Sequence, residues 1–314
     1  MKINSLKKSI IKKATIAFAL ASLSISTAQA TDFIYESPSD DIRVEYASEN
    51  SGNIRVSAGA RLGFYQSTLG YSGGSFEVVV THGGVFMLAR STLNASNIFT
   101  HDAGGIYIDY SDVFVGYAGV FDESSGSIYN LNASKLISEG GIAVGAINAD
   151  YGSYVEAEYG VQLSSLHLTD GSILKTNTQA YIGAAVLSGG ALIDFTITTK
   201  SEYNSIYFES LIVDSPATIQ LGFNDSFIGT IVDAGDRSFN FSIYDYIIFE
   251  TTITGSEYLD FCVAGSSETY TWNLVDLGGG EYVLADISVI PEPSTYAAIF
   301  GVLSFALAIY RRRK

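Results

Sequence analysis

From residue 31 to residue 290, apolar positions either alternate with polar ones or form continuous runs of four to eight, each closed by Gly, Asn, Asp or Ser. Residues 76–80, 106–110, 191–198 and 239–249 are examples. A period of two places successive side chains on opposite faces of a strand, and the 3.6-residue period of an amphipathic helix is nearly absent. Only Pro38 and Pro216 interrupt this stretch. The pattern predicts an all-β body of short strands and tight turns.

The turn residues recur at regular intervals. Glycines precede strand-like runs at Gly84, Gly105 and Gly126, evenly spaced, and again at Gly152, Gly171 and Gly190, evenly spaced at a slightly shorter interval. Thr81-His82 returns as Thr100-His101 at that shorter interval. Leu93-Asn94-Ala95-Ser96 returns as Leu131-Asn132-Ala133-Ser134 at twice it, and so does Val144-Gly145-Ala146 as Ile182-Gly183-Ala184. A period of about 19–21 residues in an all-strand segment fits one coil of a right-handed parallel β-helix, a solenoid with three short strands per coil. This is the fold expected for residues 31–200; a β-sandwich with evenly spaced turns is the alternative. Stacked coils leave backbone unpaired only at the two ends, so caps are expected there.

The period is lost from about residue 201, where strands read longer and more aromatic, and residues 201–290 are expected to form a C-terminal β module. Within it, residues 270–277, Gly278-Gly279-Gly280 and residues 281–287 read as a hairpin. Tyr270-Thr271-Trp272-Asn273-Leu274, followed by Gly280-Glu281-Tyr282, resembles the end of autotransporter-type passenger domains. That resemblance implies a C-terminal β cap or a small β-sandwich.

Both ends of the chain break the strand pattern. Lys2, Lys7, Lys8, Lys12 and Lys13 precede an apolar stretch, 14–25, and then Ala28-Gln29-Ala30, a small-x-small cleavage site. These are the three parts of a secretory signal peptide covering residues 1–30, with Ala28 and Ala30 as the recognised small residues and Thr31 as the first mature residue. At the other end Pro291-Glu292-Pro293 leads into an uncharged apolar stretch, 296–310, and then Arg311-Arg312-Arg313-Lys314. As a transmembrane helix that stretch spans about 22 Å, short of the ~30 Å hydrocarbon core. Terminal tyrosines, snorkelling arginines and slight thinning close the gap. The four basic residues hold the C-terminal end in the cytoplasm and the body outside, the orientation that the N-terminal signal also gives.

The triplet, the apolar span and the basic end together resemble the PEP-CTERM sorting signal. In that family a membrane-embedded cysteine protease, exosortase, recognises the triplet and removes the tail. Pro291, Glu292 and Pro293 match the triplet, and Arg311, Arg312 and Arg313 match the basic end. Two prolines deny the triplet a helix and keep it extended just outside the bilayer. The resemblance covers residues 289–314. It implies signal peptidase and exosortase as processing partners, inner-membrane anchoring by the C-terminal helix before processing, then a cell-surface or extracellular location, and an association with exported polysaccharide. An ordinary single-span tail anchor is the alternative.

Charge narrows the partners further. Nine of the 17 basic residues lie in the two ends, so residues 31–290 hold 8 basic against 32 acidic residues, a net of −24. Such a body repels nucleic-acid phosphates and anionic lipid headgroups, and no nucleic-acid partner is expected. The eight basic residues are scattered, which argues against polyanion binding as well.

Chemistry is sparse. Cys262 is the single cysteine, which excludes an intrachain disulfide, and its apolar neighbours predict a small buried hydrophobe. The histidines, His82, His101 and His167, show no zinc-ligand spacing. There is no Gly-x-Ser-x-Gly elbow, phosphate loop or calcium repeat, so no metal or cofactor is expected. His82 and His101 fall at equivalent positions of the shorter repeat and are expected to stack. The acidic pairs Asp40-Asp41, Asp122-Glu123 and Glu156 with Glu158 serve glycoside hydrolysis only if a cleft sets two carboxylates across from each other. The leading expectation is a non-enzymatic surface or matrix protein; a β-helix glycan-active enzyme and an adhesin are the alternatives.

Overall fold

A computed structural model of the chain describes residues 30–70, 74–122, 126–177, 179–197, 206–223, 247–249, 253–264, 270–278 and 281–289. The strands form one continuous hydrogen-bonded sheet wound into a parallel β-solenoid, and among the described residues there is no α-helix. Parallel neighbours rule out the antiparallel sandwich that the turn spacing also allowed. The expected transmembrane helix at 296–310 lies outside the described residues. Among those described, no helix is long and apolar enough to cross a membrane.

Each coil gives one strand segment to each of three faces. The first face begins with Phe33–Tyr35, Gly52–Val56 and Phe76–Thr81. The second begins with Asp41–Glu45, Arg61–Tyr65, Val85–Ala89 and Gly105–Asp109, and the third with Ser48–Glu49 and Thr68–Leu69. Strand Thr92–His101 serves the third face of one coil and the first face of the next. Further along, Ile142–Asp150, Val161–Leu168, Ala180–Leu187 and Ile206–Val213 each run from the first face round into the second.

Parallel register puts like positions on top of one another, so every inward position becomes a ladder of side chains. Leu62, Phe86, Ile106, Tyr129, Ile147, Leu166, Ala185 and Leu211 form one such ladder behind the second face. Leu69, Leu93, Val113, Leu136, Val155, Leu174, Ile193, Ile219 and Phe261 form one behind the third. All of these except Phe261, which is 6% exposed, are at most 2% exposed. Burying each large aliphatic contributes about 1.5–3 kcal/mol, and the interior is a filled core rather than a channel. Tyr129 brings its hydroxyl inside, where it donates to Thr100 Oγ1 at 3.4 Å. Burial pushes its pKa far up, so the ring stays neutral.

The corner between the second and third faces has its own device. A single left-handed residue ends each early second-face strand: Tyr46 (φ 57°), Gln66 (φ 49°), Arg90 (φ 51°), Tyr110 (φ 46°) and Ala133 (φ 46°). For L-residues this costs about 1–2 kcal/mol each. A column of buried serines follows the bend. The N–H of Ser67 donates to Ser91 Oγ (3.0 Å), Ser91 N–H to Ser111 Oγ (2.9 Å), and Ser111 N–H to Ser134 Oγ (3.1 Å). The column continues from Ser134 to Ser153 and from Ser153 to Ser172, both at 3.2 Å. The hydroxyls from Ser67 to Ser153 also donate back to the strand just left, Ser91 to the Ala89 carbonyl and Ser111 to the Asp109 carbonyl. The chain can turn sharply without abandoning an amide in the dry interior.

The parallel ladders continue past residue 201. Ile206–Val213 pairs with Ala180–Leu187, Ala217–Phe223 with Ala191–Ile197, and Leu259–Val263 with Ala217–Phe223. The coil repeat lengthens here. Ala157 meets Thr176 one coil on, whereas Ala217 meets Leu259, more than twice as far along the chain. The expected hairpin is present as Tyr270–Gly278 paired antiparallel with Glu281–Val289. The latter strand also pairs antiparallel with Ile247–Phe249, which ends the parallel stack on the first face.

Candidate functional site

The outward side of the first face carries a continuous column running Ile34, Arg55, Val79, Phe99, Phe121, Ala143, Gln162, Tyr181 and Tyr207. Strand alternation sets these side chains outside while Ile98, Val120, Ile142, Val161, Ala180 and Ile206, one residue earlier, fill the core. The aromatic members cluster in two groups, Phe99 with Phe121 and Tyr181 with Tyr207. The tyrosine rings lie flat against each other, centroids 5.2 Å apart and 8° from parallel. Phe121 and Tyr181 stand three rungs apart, about 14 Å at the strand spacing of 4.7–4.9 Å. The rungs between them carry only Ala143 and Gln162.

This gap is a saddle with a hollow on each side. One, of about 400 Å³, is lined by Phe121, Ala143, Tyr159, Gln162, Gln179 and Tyr181 among others. The second, of about 210 Å³, shares Ala143, Gln162 and Tyr181 and adds Asp122, Ser164, Gly183 and Glu209. Tyr117 and Tyr159 rim the saddle at the neighbouring corner, their rings edge to face at 5.2 Å. They meet across the coil between them because that corner is Gly140-Gly141. A Cβ at Gly140 would lie 2.4 Å from the Tyr117 carbonyl oxygen. Aromatic exposure is high for side chains of this size: 73% for Tyr117, 57% for Tyr159, 44% for Phe121 and 38% for Tyr181. Among the described residues no Lys or Arg lines either hollow. The site offers flat aromatic faces, two primary amides and hydroxyls, the means to hold an uncharged polyhydroxylated surface.

The two carboxylates that line it among the described residues are both engaged. Asp122 Oδ2 accepts from the backbone N–H of Ser127 at 2.8 Å and from the Ser127 hydroxyl at 2.7 Å. Glu209 Oε1 accepts from the Tyr181 hydroxyl.

The residues singled out from sequence fall elsewhere. His82 and His101 are not equivalent. The coil here is one position longer than the interval that relates the two Thr-His pairs, so His101 stands opposite Thr81. The counterpart of His82 (φ 50°) is Asp102 (φ 51°), the first left-handed residue of the next corner. The two imidazoles nevertheless meet, with centroids 6.0 Å apart and both Nε2 atoms beside Asp102 Oδ2, at 3.4 and 3.1 Å. Exposed His167 stands on the second face, beside a strip in which Asn132 donates to Asp109, Asn148 to Asn130 and Thr169 to Asp150. Among the described residues no group of three or more His, Cys, Asp or Glu side chains is arranged to hold a metal ion.

Cys262 is half-buried on the outward side of Leu259–Val263, next to Gln220, rather than in the core. Burial and then the charges of Asp194 and Asp260 push its thiol pKa up, so it stays protonated. Of the acidic pairs, Glu156 is tied to Lys175 at 2.8 Å and accepts from the Tyr154 hydroxyl at 2.8 Å. Burial opposes ionisation of Glu156, but hydrogen bonds from Lys175 and Tyr154 outweigh it and hold the carboxyl below its ordinary range. Asp40 accepts from the Ser37 N–H in a surface turn, and Glu123 lies outside the described residues. Ala30 is exposed and precedes Thr31, whose N–H donates to the Ser51 carbonyl. Ala28, Pro291, Glu292, Pro293, Arg311, Arg312, Arg313 and Lys314 lie outside the described residues.

The saddle carries no motif, although Ala143, Gln162 and Tyr181 recur at the same interval as Gly152, Gly171 and Gly190. Following outward as well as turn positions at that interval would align them. No protein-family model matches the chain, and neither curated proteins nor solved structures yield a match.

Proposed function

We propose that this chain is an exported, non-enzymatic cell-surface or matrix scaffold, sorted by an exosortase-type system and associated with exported polysaccharide. The observation that carries this reading is the arrangement at the two ends: signal peptide, Pro291-Glu292-Pro293, apolar span and terminal Arg cluster, flanking one long solenoid body. In it, residues 296–310 are a transient transmembrane helix, and the solenoid winds right-handed, the hand of nearly all parallel crossovers. A filled core and a body net of −24 suit a durable, soluble spacer outside the cell.

The test is Glu292→Ala in the native host. The variant is expected to accumulate uncleaved in the membrane fraction while the wild type reaches the surface or medium. Equal maturation of the two would refute the sorting claim. A glycan-cleaving enzyme is the second reading, favoured only by Asp122 and Glu209 lining one hollow. It requires release of reducing ends that Glu209→Gln abolishes.

A further inference from the structure

We propose that the saddle on the first face binds a neutral, linear polysaccharide along the solenoid axis, with Phe121 and Tyr181 as the two stacking platforms. This deepens the matrix-scaffold reading and rests on it, because only an exported body meets such a polymer.

Four observations carry it. First, the aromatic rings are exposed without any fold requirement. The core beneath them is complete through Val120, Ile142, Val161 and Ala180, and replacing the outer column with polar residues would leave every ladder intact. These rings, 38–73% exposed, are grouped beside one track and present apolar surface there for a partner to cover. Second, the column is collinear with the coil axis, because parallel register stacks it rung upon rung. A linear polymer of flat rings fits such a track, and a globular protein surface does not. A pyranose unit is about as long as one strand spacing, so the roughly 14 Å from Phe121 to Tyr181 takes about four sugar units, one over each platform and two over the low Ala143–Gln162 saddle.

Third, polar groups flank the track on both sides, Gln179 toward one corner and Ser164 and Glu209 toward the other, with Gln162 on the track between them. Sugar hydroxyls radiate sideways from a stacked pyranose, and amides and carboxylates meet them there. Fourth, charge selects among glycans. Among the described residues no basic side chain lines the hollows while Asp122 and Glu209 do, and the body carries −24 overall. Uronate or sulfated chains are repelled, which leaves neutral ones.

The experiment uses the full-length protein in detergent, titrated with linear six-unit glucan, mannan and galactan oligomers and with a six-unit polygalacturonate, followed by calorimetry. At least one neutral oligomer is expected to bind, and the polygalacturonate is not. Phe121→Ala and Tyr181→Ala should each weaken the neutral complex about tenfold, the loss of one good ring contact. Ala143→Trp should abolish it by filling the saddle while removing no platform. Phe114→Ala, an exposed aromatic on the third face, should leave affinity unchanged. Circular dichroism of each variant checks that the solenoid is retained. Failure of every neutral oligomer, tighter binding of the polyanion, or equal binding by Tyr181→Ala and Ala143→Trp would each overturn the proposal. Surface delivery of wild type and Tyr181→Ala, followed in parallel, separates the two readings. Normal delivery without glycan binding defeats the saddle alone, and failed delivery of both defeats the scaffold reading.

Discussion

Replacing Ser111 with alanine isolates what the serine column contributes. Ser111 is 3% exposed, and its Oγ accepts the N–H of Ser91 at 2.9 Å while donating to the Asp109 carbonyl at 2.8 Å. Removing the hydroxyl creates one orphan rather than two. The Asp109 carbonyl still accepts the N–H of Arg90 at 2.9 Å, and the Ser111 N–H still reaches Ser134. What remains is the Ser91 amide, buried with no acceptor, at a cost of about 1–3 kcal/mol. That corresponds to about a 5- to 150-fold shift in a local opening equilibrium. Solenoid stability is nearest-neighbour in character, so the loss should concentrate in the coils on either side. Native-state amide exchange is therefore the assay, read at Ser91 and at the adjacent ladder donors Thr92 and Asp112. Those amides should exchange faster by the stated factor in Ser111→Ala, while Ser39→Ala, in an exposed turn, should stay within about 0.5 kcal/mol of wild type. If Ser111→Ala matched the Ser39→Ala control at all three amides, the column would be a by-product of register with no energetic role.

Two glycines should respond differently to alanine. Gly152 (φ 72°) has open space where a Cβ would go, so Gly152→Ala should cost only about 1–2 kcal/mol of left-handed strain, whereas Gly140→Ala drives a Cβ to 2.4 Å from the Tyr117 carbonyl oxygen and 2.8 Å from Gly119 Cα and should lower the urea midpoint further. The Glu156–Lys175 pair gives a pH signature. Folding lowers the Glu156 pKa, so the pair's contribution is present above the ordinary carboxylate range and lost as pH falls through and below it. Folding raises that of Lys175, chiefly through its hydrogen bond to Glu156, so the contribution is complete below the ordinary lysine value and lost as pH rises beyond it. Lys175→Met should cost about 0.2–1 kcal/mol in urea melts at neutral pH and nothing near about pH 2.

The strand alternation and the second half of the solenoid are legible in the sequence because the spacing there is constant. Val144, Leu163 and Ile182 stack at one fixed interval, and so do Gly152, Gly171 and Gly190. The first half is opaque because its coils differ in length: Arg61 meets Val85, Val85 meets Gly105 and Gly105 meets Ile128, three unequal steps. In those coils the paired left-handed turn sits between the first and second faces, at Ala58-Gly59, His82-Gly83 and Asp102-Ala103. Later it moves to the next corner, at Tyr151-Gly152, Asp170-Gly171 and Gly189-Gly190. Fixed-period comparison then matches the wrong residues. Leu93-Asn94-Ala95-Ser96 and Leu131-Asn132-Ala133-Ser134 look alike, yet Leu93 lies on the third face and Leu131 on the second. The signal that tolerates unequal coils is a serine two positions before a core aliphatic, as in Ser67-Thr68-Leu69, Ser91-Thr92-Leu93, Ser111-Asp112-Val113 and Ser134-Lys135-Leu136. The saddle is harder, because its meaning lies in the modest side chains at 143 and 162, and absence of bulk leaves no motif.

The unequal coils have a consequence for how this molecule can change. Backbone pairing fixes the pitch, so the short coil from Ile128 to Ala146 and the long one from Ala180 to Ile206 occupy the same height of rod. Height and girth are thus independent variables. Duplicating one coil would lengthen the rod by about 4.8 Å and extend the serine column by one member without altering its cross-section. Inserting residues at a corner would decorate the rod without lengthening it. A lineage could set the molecule's reach and its ornament by separate genetic events, neither of which asks the core to repack.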